Sequence, residues 1–328
     1  DEDTGGGLLR RLARASGRSP AWLHVALLLA TMATTLYAGA FLLDRGVTSL
    51  GEALAAGGPF AFTLLLILGV HEMGHYVAAR HHRVSVTLPF FIPLPIPGSL
   101  GTLGAVIFIR SALANRRSLF DVGISGPLAG LIVALPLFVL GLVLPPVQLG
   151  APITVSFRGV GVPPLLQLLG DPLAEGSLSR AVLLHPVALA AWFGVLLTAL
   201  NLLPLGQFDG GHVAYALFGR YAWAIASVSF MALVVMGFWF WQTWLLWAFL
   251  AALSGLRHPP PHNDITPLDR KRQILGWLTI LLFLLIVVPQ PIVPRSLGFL
   301  PPRDPDATPF PTIAPPNIPT PTPFVFGQ

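Results

Sequence analysis

Apolar residues fall along this chain in long blocks rather than in the alternating or helical-face periods of half-buried elements. Blocks at Trp22–Leu43, Pro59–Arg80, Val122–Leu144 and Leu183–Leu203 carry very little charge. Tyr221–Trp241 and Thr243–Leu256 follow in close succession, and a last block covers Ile274–Val288. A bilayer core needs roughly 20 apolar residues per helix. The pattern predicts an all-α polytopic membrane protein with about six to seven transmembrane helices. The last two blocks are short, which leaves room for one of them to be interfacial or re-entrant.

Three stretches break the pattern. Residues 84–110 carry Pro89, Pro93, Pro95 and Pro97, then Gly98, Gly101 and Gly104, so a regular helix is excluded there. Within them, Gly104–Ile109 is β-branched and aromatic and reads as a strand. Non-helical backbone at membrane depth survives only where protein or a water-filled cavity satisfies it. A small membrane-associated β-hairpin or re-entrant loop fits, with an extended cytoplasmic loop as the other reading. Residues 145–181 read as an external loop with one short helix at most. From Pro289 the chain turns to Pro and Thr, a polyproline-prone tail. The expected organisation is an N-terminal cytoplasmic segment over 1–20, partly disordered, a transmembrane domain over 21–290 and a disordered tail over 291–328.

Composition agrees with this reading. The chain is 54 % hydrophobic and 10 % charged, where soluble domains carry about 25 % charge. Its net charge of +5 is not a nucleic-acid footprint, because the basic residues cluster at the ends of apolar blocks. With a cytoplasmic N-terminus, fourteen of them fall inside and five outside, as the positive-inside rule requires. That orientation puts the end of the second block in the cytoplasmic half of the membrane. The basic stretch Leu9–Arg14 precedes a full-length span, so a cleavable signal peptide is not expected. There are no cysteines, which leaves His, Asp and Glu as metal ligands.

The chemistry sits in the second block, as His71-Glu72-Met73-Gly74-His75. Ionisable side chains inside a span are expensive and mark function by default. His71 and His75 lie at i and i+4 on one helix face, where two imidazoles can hold one zinc ion, and Glu72 can serve as general base. The alternative is a buried polar cluster used for helix packing. A catalytic zinc site needs a third protein ligand. Asp209 follows Pro204 at the end of the fourth block, where Gly206, Gly210 and Gly211 permit a sharp turn, and it emerges on the side of His75. It could instead cap the next helix. His212 is an alternative third ligand. His81 and His82 fall in the headgroup zone, His185 at a helix start, and His258 and His262 with Asp264 in a Pro-rich turn. His24 has no evident partner.

Taken together, the pentad and Asn201-Leu202-Leu203-Pro204 through Asp209-Gly210 resemble the site-2 protease family of intramembrane zinc metalloproteases. Gly126-Pro127-Leu128-Ala129-Gly130 matches that family's small-residue motif, which lets helices approach closely. The resemblance covers roughly residues 55–290, with no room for a PDZ module between His75 and Asn201 and no CBS pair after the core. Arg257-His258-Pro259-Pro260 and Thr266–Arg270 point to the compact subgroup of bacteria and chloroplasts. The resemblance implies one zinc ion per chain on His71, His75 and Asp209, with Glu72 as base. It implies that Asn201 holds substrate or oxyanion, a helix–helix hydrogen bond being its other role. Substrates would be membrane-anchored proteins whose transmembrane helix is cut, in regulated intramembrane proteolysis. The partners are then those substrates and the lipid bilayer, with no nucleic acid. A helix must unwind before its backbone can be attacked, and the Gly104–Ile109 strand could receive it as an added strand. A bacterial inner membrane is the expected location, with the active site toward the cytoplasm; a chloroplast membrane is the alternative. Competing readings are a transporter or a protease-like scaffold using the same polar cluster. The oligomeric state is not indicated.

Overall fold

The computed structural model describes residues 20–42, 49–96, 99–111, 113–145, 157–174 and 177–294. The expectations for the N-terminal segment and for the tail beyond Pro294 lie outside these residues. Described elements in chain order are α1 (Ala21–Leu42), α2 (Leu50–His81), β1 (Phe90–Pro93), β2 (Thr102–Val106), α3 (Arg116–Val143), β3 (Phe157–Val160), α4 (Pro164–Gly170) and α5 (Leu178–Leu184). There follow α6 (Pro186–Asn201), α7 (Asp209–Phe218), α8 (Ala222–Trp239), α9 (Thr243–Ser254), α10 (Arg270–Ile286) and β4 (Ile292–Pro294). Four stretches are long and apolar enough to cross a membrane: Ala21–Ala40, Leu50–His81, Arg116–Val143 and Asp209–Trp239. Pro186–Asn201 and Thr243–Leu253 are shorter apolar helices.

The second helix starts nine residues before the expected Pro59. Ser49 caps it by accepting from the Glu52 amide, and Pro59 lies inside it. At the other end of the hairpin, α3 starts at a capping box. The Asn115 side chain accepts from the Arg117 and Ser118 amides, and Ser118 returns a bond to the Asn115 amide.

The fourth apolar block divides at a proline. Pro186 opens α6, and His185 caps it by accepting from the Val187 amide, as a helix-start residue should. Helix α6 is buried almost throughout, including Trp192, Phe193 and Leu196. A helix apolar all round is buried either by protein or by lipid, and here the neighbouring helices cover it. The core forms around it, with Phe60, Leu64 and Ile67 of α2 and Leu131, Ala134 and Phe138 of α3.

Between α2 and α3 the predicted hairpin is present. Strands β1 and β2 pair antiparallel, Phe90 opposite Val106 and Ile92 opposite Gly104, with a bridge from Val86 to Ile109. Helix α1 holds it: His24 Nδ1 bonds the Pro89 carbonyl at 3.0 Å, and the Thr34 hydroxyl donates to the Gly101 carbonyl at 2.6 Å. His24 thus has the partner that its sequence position could not name.

The tail boundary is a correction. Ile292–Pro294 is a strand, paired antiparallel with Phe157–Val160 of the preceding long loop. The Trp192 indole donates to Gly161 and the Trp244 indole to Pro289, fixing both sides of this small sheet. The two strands are more than a hundred residues apart in sequence, so local composition carried no sign of their pairing.

Candidate metal centre

The pentad lies on α2, deep in the protein: His71, Glu72 and His75 are only 3 %, 6 % and 6 % exposed. Helix α3 packs along this face. The Val122 carbonyl accepts from His75 Nδ1 at 2.7 Å. A carbonyl can only accept, so Nδ1 carries a hydrogen, and in the neutral ring Nε2 keeps its lone pair. Gly126 and Gly130 of α3 lie against the two imidazoles, Gly126 at His75 and Gly130 at His71. Their missing side chains are the room that the rings occupy.

Asp209 arrives from the other side on a tight turn. Helix α6 stops at Asn201, and short backbone bonds from Leu205 to Leu203 and from Phe208 to Leu205 carry the chain round. Gly206 adopts φ +42°. A side chain at Gly210 would overlap the Leu202 carbonyl, so the turn closes on itself only with glycine there. Asp209 is therefore the first residue of α7, rather than a continuation of the fourth block.

Four polar atoms converge. Asp209 Oδ2 is 3.3 Å from His71 Nε2 and 3.2 Å from His75 Nε2, and the two Nε2 atoms are 3.1 Å apart. Asn201 Nδ2 stands 3.2 Å from His71 Nε2. An amide NH2 only donates, so His71 Nε2 also presents a lone pair. In their neutral, ligating tautomers the two imidazoles thus turn lone pairs toward one point beside a carboxylate oxygen. Among the described residues, these three are the group of His, Asp and Glu able to hold a metal ion together. Ligands about 2.0–2.1 Å from a tetrahedral zinc ion stand about 3.3 Å from one another. The donor set and its spacing fit such an ion.

His212, the alternative ligand, turns away from this group. Its Nδ1 lies 2.6 Å from His258 Nε2. That contact, and the cluster of His82, Asp121, Arg272 and Asp269, were not foreseen. His82 Nε2 meets Asp121 Oδ2 at 2.8 Å, and Arg272 bridges Asp121 and Asp269. No spacing rule links residues so distant in sequence. His262 and Asp264 lie in the turn expected for them: the His262 amide donates to the Leu113 carbonyl, and Asp264 accepts from Arg116 and Tyr215.

A cavity of about 350 Å³ opens over the site. Glu72, His75, Asn201 and Asp209 line its floor, and Ala105–Ile107 with Ile109 bring the hairpin to it. The Ile107 amide reaches the Glu72 carboxylate. Strand β2 has β1 as its one partner, so its second edge is unpaired among the described residues.

The chain is 34 % identical over 249 residues to the probable zinc metalloprotease EGY2, chloroplastic, of Arabidopsis thaliana, covering 73 % of this chain and 43 % of that protein. It is 30 % identical over 245 residues to the probable zinc metalloprotease EGY1, chloroplastic, of Oryza sativa subsp. japonica, covering 70 % and 40 %. Against the probable zinc metallopeptidase EGY3, chloroplastic, of Arabidopsis thaliana it is 29 % identical over 280 residues, covering 81 % and 48 %. The chain spans less than half the length of these curated relatives. No solved structure matches it significantly. Residues 59–241, more than half of the chain and including the pentad, Asn201 and Asp209, match the profile of Peptidase family M50, and the chain belongs to that family.

Proposed function

We propose that this protein is an intramembrane zinc endopeptidase that cuts membrane-anchored proteins within or near a transmembrane helix. The observation that carries this reading is the meeting of His71 Nε2, His75 Nε2 and Asp209 Oδ2 beside Glu72, on a helix long and apolar enough to cross a membrane. His71, His75 and Asp209 would hold one zinc ion. Bound there, the ion supplies Lewis acidity, acidifying water and polarising a peptide carbonyl. Glu72 takes the proton from the attacking water and delivers it to the leaving amine. Asn201, whose NH2 already points into the group, donates to the oxyanion that develops on the attacked carbonyl. The Val122 carbonyl keeps His75 in the ligating tautomer, the usual service of a group behind a metal ligand.

The substrate enters as an extended segment. An intact helix has no free backbone groups, so it must unwind first. The unpaired edge of β2 then receives it as an added strand, with its backbone laid across the cavity. Six to seven membrane crossings, counting the shorter helices, a cytoplasmic N-terminus and an active site toward the cytoplasm complete the reading. The basic residues of the sequence support that orientation. A bacterial inner membrane is the preferred location; the names of the plant relatives favour the chloroplast alternative.

The test is purification in detergent, measurement of bound zinc, and an assay on a single-span substrate with Glu72→Gln as control. Zinc retained with cleavage abolished is the expected result. A zinc-free protein, or undiminished cleavage by Glu72→Gln, overturns the mechanism.

A further inference from the structure

His212 lines the catalytic cavity, yet nothing in the mechanism above uses it. Its surroundings fix where its proton sits. His258 Nδ1 lies 2.6 Å from the Pro259 carbonyl, which can only accept, so Nδ1 of His258 carries a hydrogen. Burial holds the His258 imidazole below the ordinary histidine range, outweighing the opposing pull of that carbonyl, so the ring is neutral at pH 7. Its Nε2 is then a lone pair. Across 2.6 Å, His212 Nδ1 must be the donor. The remaining nitrogen of His212, Nε2, is therefore an acceptor, and it has no hydrogen-bond partner among the described residues. Tyr215 keeps His258 in place: the rings lie 5.0 Å apart at 34°, and the Tyr215 hydroxyl is tied to Asp264.

An extended peptide added to β2 satisfies only half of its backbone groups on that strand, because alternate N–H and C=O groups point to the other side. Those must be met by the rest of the cavity lining. We propose that His212 Nε2 accepts a hydrogen bond from a backbone N–H of the extended substrate, and that His258 is the positioning residue that sets the required tautomer. This role rests on the peptidase reading above and adds a substrate-binding group to it. It also explains why the protein would turn His212 away from the metal group toward a residue 46 positions later.

The test uses a synthetic single-span substrate in which each backbone amide near the cleavage site is replaced in turn by an ester, removing one N–H at a time. In the wild type, the ester position that faces His212 should raise KM about fivefold, the worth of one ordinary hydrogen bond, alongside the positions that pair with β2, whose penalties the His212 and His258 variants leave unchanged. The same substrate should carry no penalty with His212→Ala. His258→Gln offers an amide oxygen to His212 Nδ1 and should keep the penalty. His258→Lys offers only donors, forces the proton to Nε2 and should abolish it, with bound zinc unchanged in all three variants. If His212→Ala is lost from the membrane, the two His258 variants carry the same comparison. Equal penalties at every position in wild type and variants overturn the role of His212. No cleavage of the all-amide substrate by wild type instead overturns the proposed function itself, and this role with it.

Discussion

A β-carbon at Gly126 would overlap Nε2 of His75. The glycine on one helix is thus the socket for a proposed ligand on another, and the small-residue motif serves the site as much as the helix packing. Gly126→Ala should displace the His75 ring while leaving the rest of α3 helical. Shifts near 1 Å in a reacting group cost on the order of a hundredfold in rate. Bound zinc per chain and cleavage should fall together in this variant, at unchanged membrane yield. Full zinc with full activity would show that the ring needs no such socket.

Asp209 and His212 make opposite predictions. Asp209→Ala removes a proposed ligand and should lower bound zinc below half of wild type, with loss of cleavage. His212→Ala should keep its zinc, because its ring faces His258 instead of the histidine pair. The reverse pattern in metal analysis would exchange their roles.

Asn201 bonds His71 in this structure, so its substitution could act through the ligand or through the substrate. A donor to a developing oxyanion is worth about 10²–10³ in kcat. Asn201→Ala should therefore lose about two orders of magnitude in kcat with zinc retained and KM little changed. Loss of zinc instead would assign Asn201 to holding His71.

The hairpin edge is tested with proline. Ile107→Pro removes a backbone amide that faces the cavity and reaches Glu72, and Ala105→Pro blocks pairing along β2. Both should slow cleavage of a helical substrate at least tenfold without changing bound zinc. Unchanged turnover would mean that substrate does not add to this strand.

A surface cluster gives a pH signature. Asp264 accepts from Arg116, which holds its carboxyl below the ordinary carboxylate range. A depressed folded-state value stabilises the protein above the unfolded value, and that stability is lost as pH falls through the folded one. The melting difference between wild type and Asp264→Asn should be small, as for exposed ion pairs, and should close as pH drops below about 4. A difference that grows on acidification would contradict the assignment.

Much of this site could be read before any coordinates, and the reason is periodicity. The i, i+4 spacing alone places His71 and His75 on one face, and Pro204 with its following glycines announces a turn that brings Asp209 back. The β-branched run at 104–109 likewise points to the hairpin, although its strand runs over Thr102–Val106 and Ile109 makes only a single bridge, to Val86. What could not be read depends on residues far apart in sequence meeting in space. His212 with His258, Asp121 with Arg272, and β3 with β4 are long-range pairs that no local pattern encodes. The fourth apolar block misled in another way. A helix buried by protein and a helix bathed in lipid are equally apolar, so composition gave α6 a length that Pro186 denies it.

Helix α6 has sixteen residues, thirteen of them buried, and it ends at Asn201 beside His71. Its length, about 24 Å, is less than the roughly 30 Å of a bilayer's hydrocarbon. Because neighbouring helices rather than lipid surround it, a thicker or thinner membrane acts on the outer helices and scarcely on this one. The depth of the site is then a property of the protein's own packing, and the same protein should keep its geometry across membranes of different thickness.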